Sequence, residues 1–499
     1  MKRLSLLACA ALFSCRTVPA AEVPAPPPIA ASPAPPPPQA PWVHTPPPPP
    51  LARHAFAAPA VTRRTLENGL RIVVVEHHRR PVVTVNFVFP HGALSDPPTD
   101  AGITFMAVHL ASDFYESMGV NDSSGNEESF RRRVIDLGGT ARFEVESDDS
   151  LIQIEGYAQD AQGYVVMMKD AVRKLRHGAR SFLARRAAAL DAFEEIESED
   201  PEALRQKLAQ AAFGSDHPYA RSIIGTTQSL NDLELQEVMD HQHLVFSPAG
   251  ATLLVVGDVK PGPVIATAET MFENWEGGNA PVPAVPPPAL PRNPGEIAFL
   301  DRHTASTLFT CATRPLPEVA GTDAALRVLV AVLGQGFGSR LNMVLREENG
   351  LTYAAYAEIV RRRQANALIA CSPLQGSRAD LGVRLFRSVL EGMRTTPATD
   401  DEIRLAKSRL LAELESSWDD VNRVTHSWLT AITLGNGTPR IEQERAEIEK
   451  VTAKDVQKLA RRLFRLETFR WVVSGERKAA AQAFEASGYG KLRRFSPGG

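Results

Sequence analysis

The spacing of apolar positions changes between strand-like and helix-like along residues 61–495. A tight-turn signal at Asn68-Gly69 precedes a β-branched run, and Val82–Phe89 gives a second strand, so we predict a hairpin there. Helical spacing recurs over 101–114, 127–137, 161–175 and 182–213. Strands and helices mix without strict alternation, which predicts an α+β fold of antiparallel-rich sheets with helices packed on one face.

An internal repeat indicates a duplicated architecture. Residues 233–258 align without a gap on residues 451–476, so that Gly475 lies 218 positions after Gly257. Each copy is an amphipathic helix that leads into an apolar strand ending at a glycine and an acid. Residues 277–294 between the copies are rich in glycine and proline, which is typical of a linker.

The segment from Gly334 to Tyr353 contains candidate chemistry. Glycines at three alternate positions let the backbone turn tightly, and apolar residues then recur at helical spacing up to Asn349-Gly350. We therefore expect Arg346 near a helix end and Tyr353 on the next strand. A guanidinium and a phenol can both donate hydrogen bonds to a substrate carbonyl or to an oxyanion. The glycine spacing does not match a dinucleotide-binding loop, and no βαβ unit accompanies it.

Composition and charge narrow the function classes. A chain of 499 residues with 43% hydrophobic residues exceeds one typical core and predicts at least two domains. The formal charge of −3 argues against nucleic-acid binding, because affinity for phosphates needs a basic surplus.

The N-terminus predicts export. Lys2 and Arg3 precede a short apolar core that cannot span a bilayer. Leu12-Phe13-Ser14-Cys15 resembles a bacterial lipobox, so we expect lipidation of Cys15, with ordinary cleavage near 18–20 as the alternative. Prolines and alanines dominate residues 19–60, which predicts a disordered tether. We expect an exported, periplasmic protein that is lipid-anchored to the outer membrane.

Two cysteines remain beyond the signal, Cys311 and Cys371, each within a predicted strand. Two buried thiols are favoured slightly over a disulfide, because a disulfide requires a geometry that sequence does not show.

Three short motifs in the second half together resemble those of a known family. They read Ser339-Arg340-Leu341, Leu345-Arg346-Glu347 and Gly350-Leu351-Thr352-Tyr353. The second half of the insulinase, pitrilysin and mitochondrial processing peptidase family carries a similar pattern. The resemblance covers residues 61–495 and implies the metallopeptidase-like LuxS/processing-peptidase fold, with two homologous halves that form a clamshell. It also implies that Arg346 and Tyr353 contact the substrate and its transition state at a zinc site in another half or chain.

The zinc motif of that family is degenerate here. Active members open their first long helix with Ala-Gly-Leu-x-His-x-x-Glu-His, whose histidines bind zinc and whose glutamate is the general base. In this chain Phe105 replaces the first histidine and Val108 replaces the glutamate, and His109 alone is retained. The family's third ligand is a later glutamate, and no acid in residues 185–195 matches it unambiguously. We therefore expect no metal in this chain and no peptidase activity by this chain alone.

No replacement metal site is apparent from the other histidines. His109 and Asp113 share a helix face, but two ligands do not make a catalytic site. His241 and His243 are two positions apart and point to different faces of a helix. His77 and His78 adjoin arginines and are more typical of a solvated turn.

The resulting domain prediction lists five segments: a signal peptide with the lipobox candidate at 1–18, a tether at 19–60, an N-terminal peptidase-like domain with the degenerate zinc motif at 61–276, a linker at 277–295 and a C-terminal peptidase-like domain with the Arg/Tyr motif at 296–495.

The functional hypothesis follows from this asymmetry. Some bacterial and mitochondrial members of the family divide the work between two chains, one with zinc and one with the arginine and tyrosine. The resemblance implies that this chain is the second kind: a non-catalytic subunit that forms a heterodimer with a zinc-bearing homologue and closes over an extended peptide, with zinc in the partner. A scaffold or peptide-binding protein without catalysis is the first alternative. A peptidase with unrecognised ligands is the second.

Overall fold

The computed structural model describes residues 58–112, 115–116, 128–173, 178–198, 201–278, 281–290, 296–302, 306–316, 323–487 and 491–494. The predicted signal, Cys15, residues 19–57 of the predicted tether and Asp113 lie outside these ranges.

The first half contains the following elements in chain order: β1 (Val61–Thr65), β2 (Arg71–Glu76), β3 (Val82–Phe89), α1 (Ile103–Ala111), β4 (Tyr115–Glu116), β5 (Glu128–Ser129), α2 (Phe130–Asp136), β6 (Thr140–Val145), β7 (Ser150–Tyr157), α3 (Ala161–Arg173), α4 (Ala179–Ser198), α5 (Pro201–Phe213), α6 (Thr227–Asp232), α7 (Leu235–Val245), β8 (Thr252–Gly257) and α8 (Pro261–Phe272). The sheet has the order β1-β2-β8-β3-β7-β6, and its pairs are antiparallel except β2 with β8.

The second half contains β9 (Glu296–Asp301), β10 (Thr307–Leu316), α9 (Asp323–Gly334), α10 (Arg340–Asn342), a π-helix (Met343–Glu348), β11 (Tyr356–Arg361), β12 (Asn366–Gln375), α11 (Ala379–Thr395), α12 (Asp400–Ser416), α13 (Val421–Thr433), α14 (Ile441–Lys450), α15 (Ala453–Leu463), β13 (Arg470–Gly475), α16 (Arg477–Ala486) and β14 (Lys491–Arg494). Its sheet has the order β11-β12-β10-β13-β9-β14.

The two halves are copies of one plan. The repeated segments form α7 with β8 and α15 with β13, and each strand ends at a glycine of nearly the same backbone conformation, Gly257 at φ 154° and Gly475 at φ 155°. β8 pairs in parallel with β2 and antiparallel with β3, and β13 pairs in the same senses with β9 and β10. The predicted α+β fold with two homologous halves is confirmed.

Each sheet is covered on both faces. Residues of β2 alternate: Ile72 and Val74 belong to the core under the first half's own helices, whereas Val73 and Val75 pack with residues of α13 from the second half. In return, α5 of the first half packs on β10, β12 and β13. This exchange explains why the strands read as continuous apolar runs, because both faces of each strand are buried.

Three local predictions were wrong. β2 and β3 do not form a hairpin, because β8 lies between them, and the turn at Asn68-Gly69 joins β1 to β2 instead. The helix predicted over 182–213 is two helices, α4 and α5. Cys311 and Cys371 are directly opposite partners on β10 and β12, with Cα atoms 4.1 Å apart, and they form a disulfide rather than two thiols. Among the described helices, none has the length and apolar content needed to cross a bilayer.

Candidate functional site

The glycine-rich segment after α9 is shaped by close packing. A Cβ atom at Gly334 would lie 2.5 Å from the backbone nitrogen of Ala357 on β11, so α9 approaches that strand as only glycine allows. Gly336 adopts φ +82°, the left-handed conformation that favours glycine. The chain thereby turns sharply and presents Phe337, 56% exposed, at the surface.

Asn342 connects this turn to the segment that carries Tyr353. The buried Nδ2 group of Asn342 donates hydrogen bonds to Gly336 O (3.1 Å) and to Ala355 O (2.7 Å). Its Oδ1 atom accepts one from the Ala355 N–H at 2.8 Å. One side chain therefore fixes both segments relative to the helix between them.

Arg340 of the Ser-Arg-Leu motif has a structural role. It forms a bidentate ion pair with Glu402 at 2.6 and 2.9 Å, and it donates to the carbonyl oxygens of Thr396 and Pro397. The Arg340 guanidinium also holds the pKa of Glu402 below its ordinary value despite burial of the carboxyl.

Arg346 and Tyr353 lie together at the surface. The Arg346 guanidinium stacks on the Phe337 ring, faces the Tyr353 ring and pairs with Glu347. Tyr353 is 82% exposed and lies in an irregular segment before β11, so its placement on a strand was wrong. Arg346 is near a helix end, as predicted, within the π-helix that ends at Glu348.

This arrangement leaves polar groups available at the surface. The Arg346 side chain is 29% exposed, and the ring of Tyr353 is mostly outside the core. A cavity of about 860 Å³ adjoins Tyr353 and is lined also by Leu351 and Thr352 and by residues of the β12 end and α16. The Tyr353 phenol beside this cavity, with the Arg346 guanidinium next to its ring, can donate hydrogen bonds to a group supplied from outside the chain.

The degenerate helix α1 cannot hold zinc. Val108 is fully buried in the first core, and Phe105 is partly buried with its ring centroid 4.2 Å from that of His109. Carbon side chains thus occupy the positions where the family places a ligand and a general base, so the residues present do not fit the metal. Within the described ranges no group of three or more His, Cys, Asp and Glu side chains could hold a metal ion.

A buried polar network under α1 was missed by sequence reasoning. Asp96 accepts hydrogen bonds from the N–H groups of Gly102 (2.7 Å) and Thr104 (3.1 Å), and so caps the helix. The Nε2 atom of His241 lies 2.7 Å from Thr104 Oγ1. Burial raises the pKa of Asp96 to about 6 and lowers that of His241 to about 4. His243 is exposed, which confirms that the two histidines point to different faces.

A second unpredicted network joins the halves. The turn between β6 and β7 meets the turn between β11 and β12, and the Asp148 carboxylate accepts from Tyr219 Oη (2.7 Å) and from the Arg363 N–H (2.9 Å). Asp149 accepts a hydrogen bond from the Thr433 hydroxyl of α13, while burial raises its pKa to about 6. The sequence carries no signal for the partners in either network, because each network depends on which distant segments meet in space.

The two predicted groups of site residues are not brought together. Val108 lies in the core of the first half, and Leu345, next to Arg346, lies in the core of the second. The pair of Arg346 and Tyr353 therefore forms a surface separate from the degenerate helix.

Comparisons with known proteins find similar sequences over most of the chain. The family described as "Peptidase M16 inactive domain" matches residues 232–410. The "Uncharacterized zinc protease Rv2782c" of Mycobacterium tuberculosis is 24% identical over 416 residues, which are 82% of this chain and 91% of that protein. The "Non-peptidase homolog YmxG" of Helicobacter pylori is 19% identical, over 71% of this chain and 80% of that protein. Subunit 1 of the mitochondrial cytochrome b-c1 complex of Caenorhabditis elegans is 23% identical over 40% of this chain and 41% of its own length.

Solved structures show the same fold. A peptidase M16 inactive domain from Pseudomonas fluorescens superposes with a TM-score of 0.73 at 17% identity, covering 84% of this chain and 98% of that one. A protease from Helicobacter pylori gives a TM-score of 0.72 at 18% identity, covering 83% and 99%. The fold is thus that of M16-type peptidase structures, with two homologous halves. The chain is similar to proteins of the insulinase, or M16, peptidase family, and its residues 232–410 match the inactive domain of that family.

Proposed function

We propose that this chain is the non-catalytic subunit of a two-chain zinc peptidase. It pairs with a homologue whose first helix keeps the His-x-x-Glu-His motif, and it supplies Arg346 and Tyr353 to peptide bound at the partner's zinc. The observation that carries the proposal is the exposed Tyr353 beside a cavity, with the half-buried Arg346 next to it, in a chain whose own metal helix carries Phe105 and Val108 in place of zinc-site residues.

Energetic considerations support a role for this pair outside the chain. A tyrosine that is 82% exposed contributes little to folding through burial, and a guanidinium stacked at the surface adds modest stability. Both groups are suited to donating hydrogen bonds to a carbonyl oxygen that gains negative charge as water attacks it. In the partner's site, this chain's groups would bind the peptide and stabilise that charge.

The substrate class that fits is an extended peptide. β6 and β11 are the outer strands of their sheets within the described residues, and an extended chain can add to such an edge through main-chain hydrogen bonds. Recognition of this kind depends little on side chains, so we expect a loose sequence preference. The proposed setting is the periplasm, with the chain anchored by a lipid at Cys15.

The experiment measures hydrolysis of a peptide library with added zinc by this chain, by a zinc-bearing homologue encoded beside it, and by the mixture. We expect activity only in the mixture, and we expect Arg346→Ala to lower its kcat/KM about 100-fold, as for loss of one oxyanion donor. Tyr353→Phe should lower it in the same direction. Arg404→Ala, which changes an arginine whose side chain is 71% exposed, and Tyr157→Phe, which changes an exposed tyrosine of β7 in the first half, are matched controls that should retain activity.

Each outcome decides between functions. No gain on mixing, or full activity of the mixture with both Arg346→Ala and Tyr353→Phe, would refute the shared site. Activity and bound zinc in this chain alone would show that it has metal ligands other than those of the family motif.

A scaffold without catalysis is the second candidate. The similarity to subunit 1 of a cytochrome b-c1 complex favours it, since that protein is named as a component of an assembly. A scaffold has no need of Arg346 or Tyr353, so stable association with a partner that is unchanged by both substitutions, and without peptide hydrolysis, would support it.

A further inference from the structure

The exposed side of α15 carries a row of cations. Lys454, Lys458, Arg461 and Arg462 are exposed on the helix, and Arg465 is exposed just beyond its end. Their spacing of four, three, one and three residues keeps them on one side, opposite the buried apolar residues of the same helix. We name these five residues the cationic stripe.

The fold gains little from the cationic stripe. Among the described residues, no carboxylate forms an ion pair with any of the five. The one acid of the helix, Asp455, forms the N-terminal cap with Thr452, with Oδ2 2.6 Å from the Thr452 hydroxyl. These hydrogen bonds lower the pKa of Asp455 most, and Lys458 and Lys454 add only smaller contributions. Arg462 and Arg465 also oppose the charge of the buried Arg314, whose pKa burial lowers to about 10 with a further contribution from these two neighbours.

The helix dipole accounts for only part of the stripe. Cations in the last turn of a helix interact favourably with its carbonyl end, and this interaction explains the positions of Arg461 and Arg462. Lys454 lies in the first turn, where a positive charge is disfavoured, and Lys458 lies in the middle.

The internal repeat provides a natural comparison. α7 has the same length and the same place in the first half, and the positions that match the cationic stripe are Gln236, Asp240, His243, Leu244 and Ser247. None of these is lysine or arginine. The helix and strand plan therefore does not require a basic face, in a chain whose total formal charge is −3.

We propose that the cationic stripe docks the folded part of the chain on an anionic membrane surface, with its ammonium and guanidinium groups on lipid phosphates. Arginine and lysine are the side chains that bind phosphate oxygens most strongly. Protein interfaces instead usually centre on aromatic or aliphatic anchors, and none of the exposed large apolar side chains in the described ranges lies on α15.

The predicted anchor is consistent with this assignment. Lipidation of Cys15 and a tether over 19–60 would keep the folded part of the chain close to the bilayer. Membrane attachment through one lipid group is commonly reinforced by a basic patch. Each cation near an anionic surface raises the partition coefficient about fivefold at low ionic strength.

The test measures sedimentation of the full chain with lipid vesicles. The chain carries Cys15→Ser, so that no acyl group contributes. The vesicles contain phosphatidylcholine alone or phosphatidylcholine with about 30% phosphatidylglycerol, which gives an anionic surface. The stripe variant is K458Q/R461Q/R462Q/R465Q. Its matched control is R64Q/R132Q/R384Q/R404Q, which removes the same charge from four exposed arginines that are dispersed and ion-paired.

We expect the parent chain to prefer the anionic vesicles, the stripe variant to lose binding several-hundredfold, and the matched control to stay within about threefold. Binding of the parent should weaken as salt rises. The thermal midpoint of the stripe variant should fall only slightly, because the cationic stripe makes no ion pair within the described residues and loses only the modest helix-dipole contribution of Arg461 and Arg462. Equal loss in both variants, or no preference for anionic vesicles, would overturn the proposal. Normal vesicle binding by the stripe variant with loss of association to a partner subunit would assign the stripe to a protein interface instead.

Discussion

The Cζ atom of Arg346 lies 4.1 Å from the ring centroid of Phe337 and 5.8 Å from that of Tyr353. Stacking on one ring limits the directions in which the guanidinium can point, and the second ring stands beside it. Phe337 thus positions the Arg346 guanidinium, and under the proposed function it would affect substrate only through Arg346. This contact with Arg346 gives a role to a phenylalanine that is exposed and contributes little to the core.

Replacing Phe337 with leucine should release the Arg346 side chain without unfolding the protein. A cation–π contact at an exposed site contributes about 0.5–1 kcal/mol, so Phe337→Leu should lower kcat/KM of the mixed enzymes about two- to fivefold. The ring-current shifts of the Arg346 side-chain protons in NMR spectra should become smaller, because only the Tyr353 ring remains nearby. Phe337→Tyr keeps the ring and should keep both. Unchanged proton shifts in Phe337→Leu would show that the stack does not hold Arg346 in solution.

Asn342 should be worth more to stability than its size suggests. Asn342→Ala leaves the N–H and the carbonyl oxygen of Ala355 without their partner in a buried place, whereas Gly336 O keeps the hydrogen bond from Ser339 Oγ, and a group left unpaired costs about 1–3 kcal/mol. Denaturant unfolding should show a loss of about 2–4 kcal/mol. The matched control is Asn349→Ala, because Asn349 makes one such bond, to Val344 O at 2.8 Å, and should lose less. Equal losses in the two variants would contradict the proposal that Asn342 fixes the Gly336 turn and the Ala355 segment together.

Much of this architecture could be predicted from local pattern. The duplication was visible as a gapless repeat, and the helix α1 was visible with its degenerate motif. Arg346 and Tyr353 were identified through the spacing of three short motifs, although Tyr353 lies off the strand. Such features depend on residues close in sequence, where periodicity and motif spacing carry the information.

Features that depend on distant pairing could not be predicted in the same way. β8 inserts between β2 and β3 from a position more than 160 residues away (as the register Val85 with Val255 shows), so adjacency in sequence gave the wrong hairpin. The opposition of Cys311 and Cys371 follows from the register of β10 on β12, which spacing does not reveal. The exchange of α5 and α13 between halves is likewise a property of packing rather than of pattern.

The disulfide should stabilise the second half. Closing a loop of 60 residues removes conformational entropy from the unfolded chain, for which the loop-entropy relation gives about 4 kcal/mol and measured cases about 2–4. Reductant should therefore lower the denaturant midpoint of the parent chain and leave Cys311→Val/Cys371→Ala unchanged. Peptide mapping should find both thiols blocked before reduction and free afterwards. If both thiols label in the unreduced, denatured chain, the strands carry free cysteines.

The contact of Asp149 with Thr433 should make the joint between the halves sensitive to pH. Burial raises the pKa of Asp149 from 3.8 to about 6, so the folded chain binds this proton more tightly than the unfolded chain does. Stability from this group is therefore full below about pH 4 and is lost as pH rises through about 6, by about 3 kcal/mol for a shift of this size. Asp149→Asn removes the ionisation but keeps an oxygen for the Thr433 hydroxyl.

The free energy of unfolding of Asp149→Asn minus that of the parent should therefore increase by about 3 kcal/mol as the pH rises from 4 to 7, because only the parent loses stability over this range. The difference isolates this carboxyl, because Asp96, whose pKa is also raised to about 6, is present in both proteins and cancels. Asp216→Asn, which removes an exposed carboxyl, is the control for the substitution itself and is measured over the same range. A flat difference for Asp149→Asn would mean that water or a rearranged Arg363 neutralises the buried charge, so that the joint does not respond to pH.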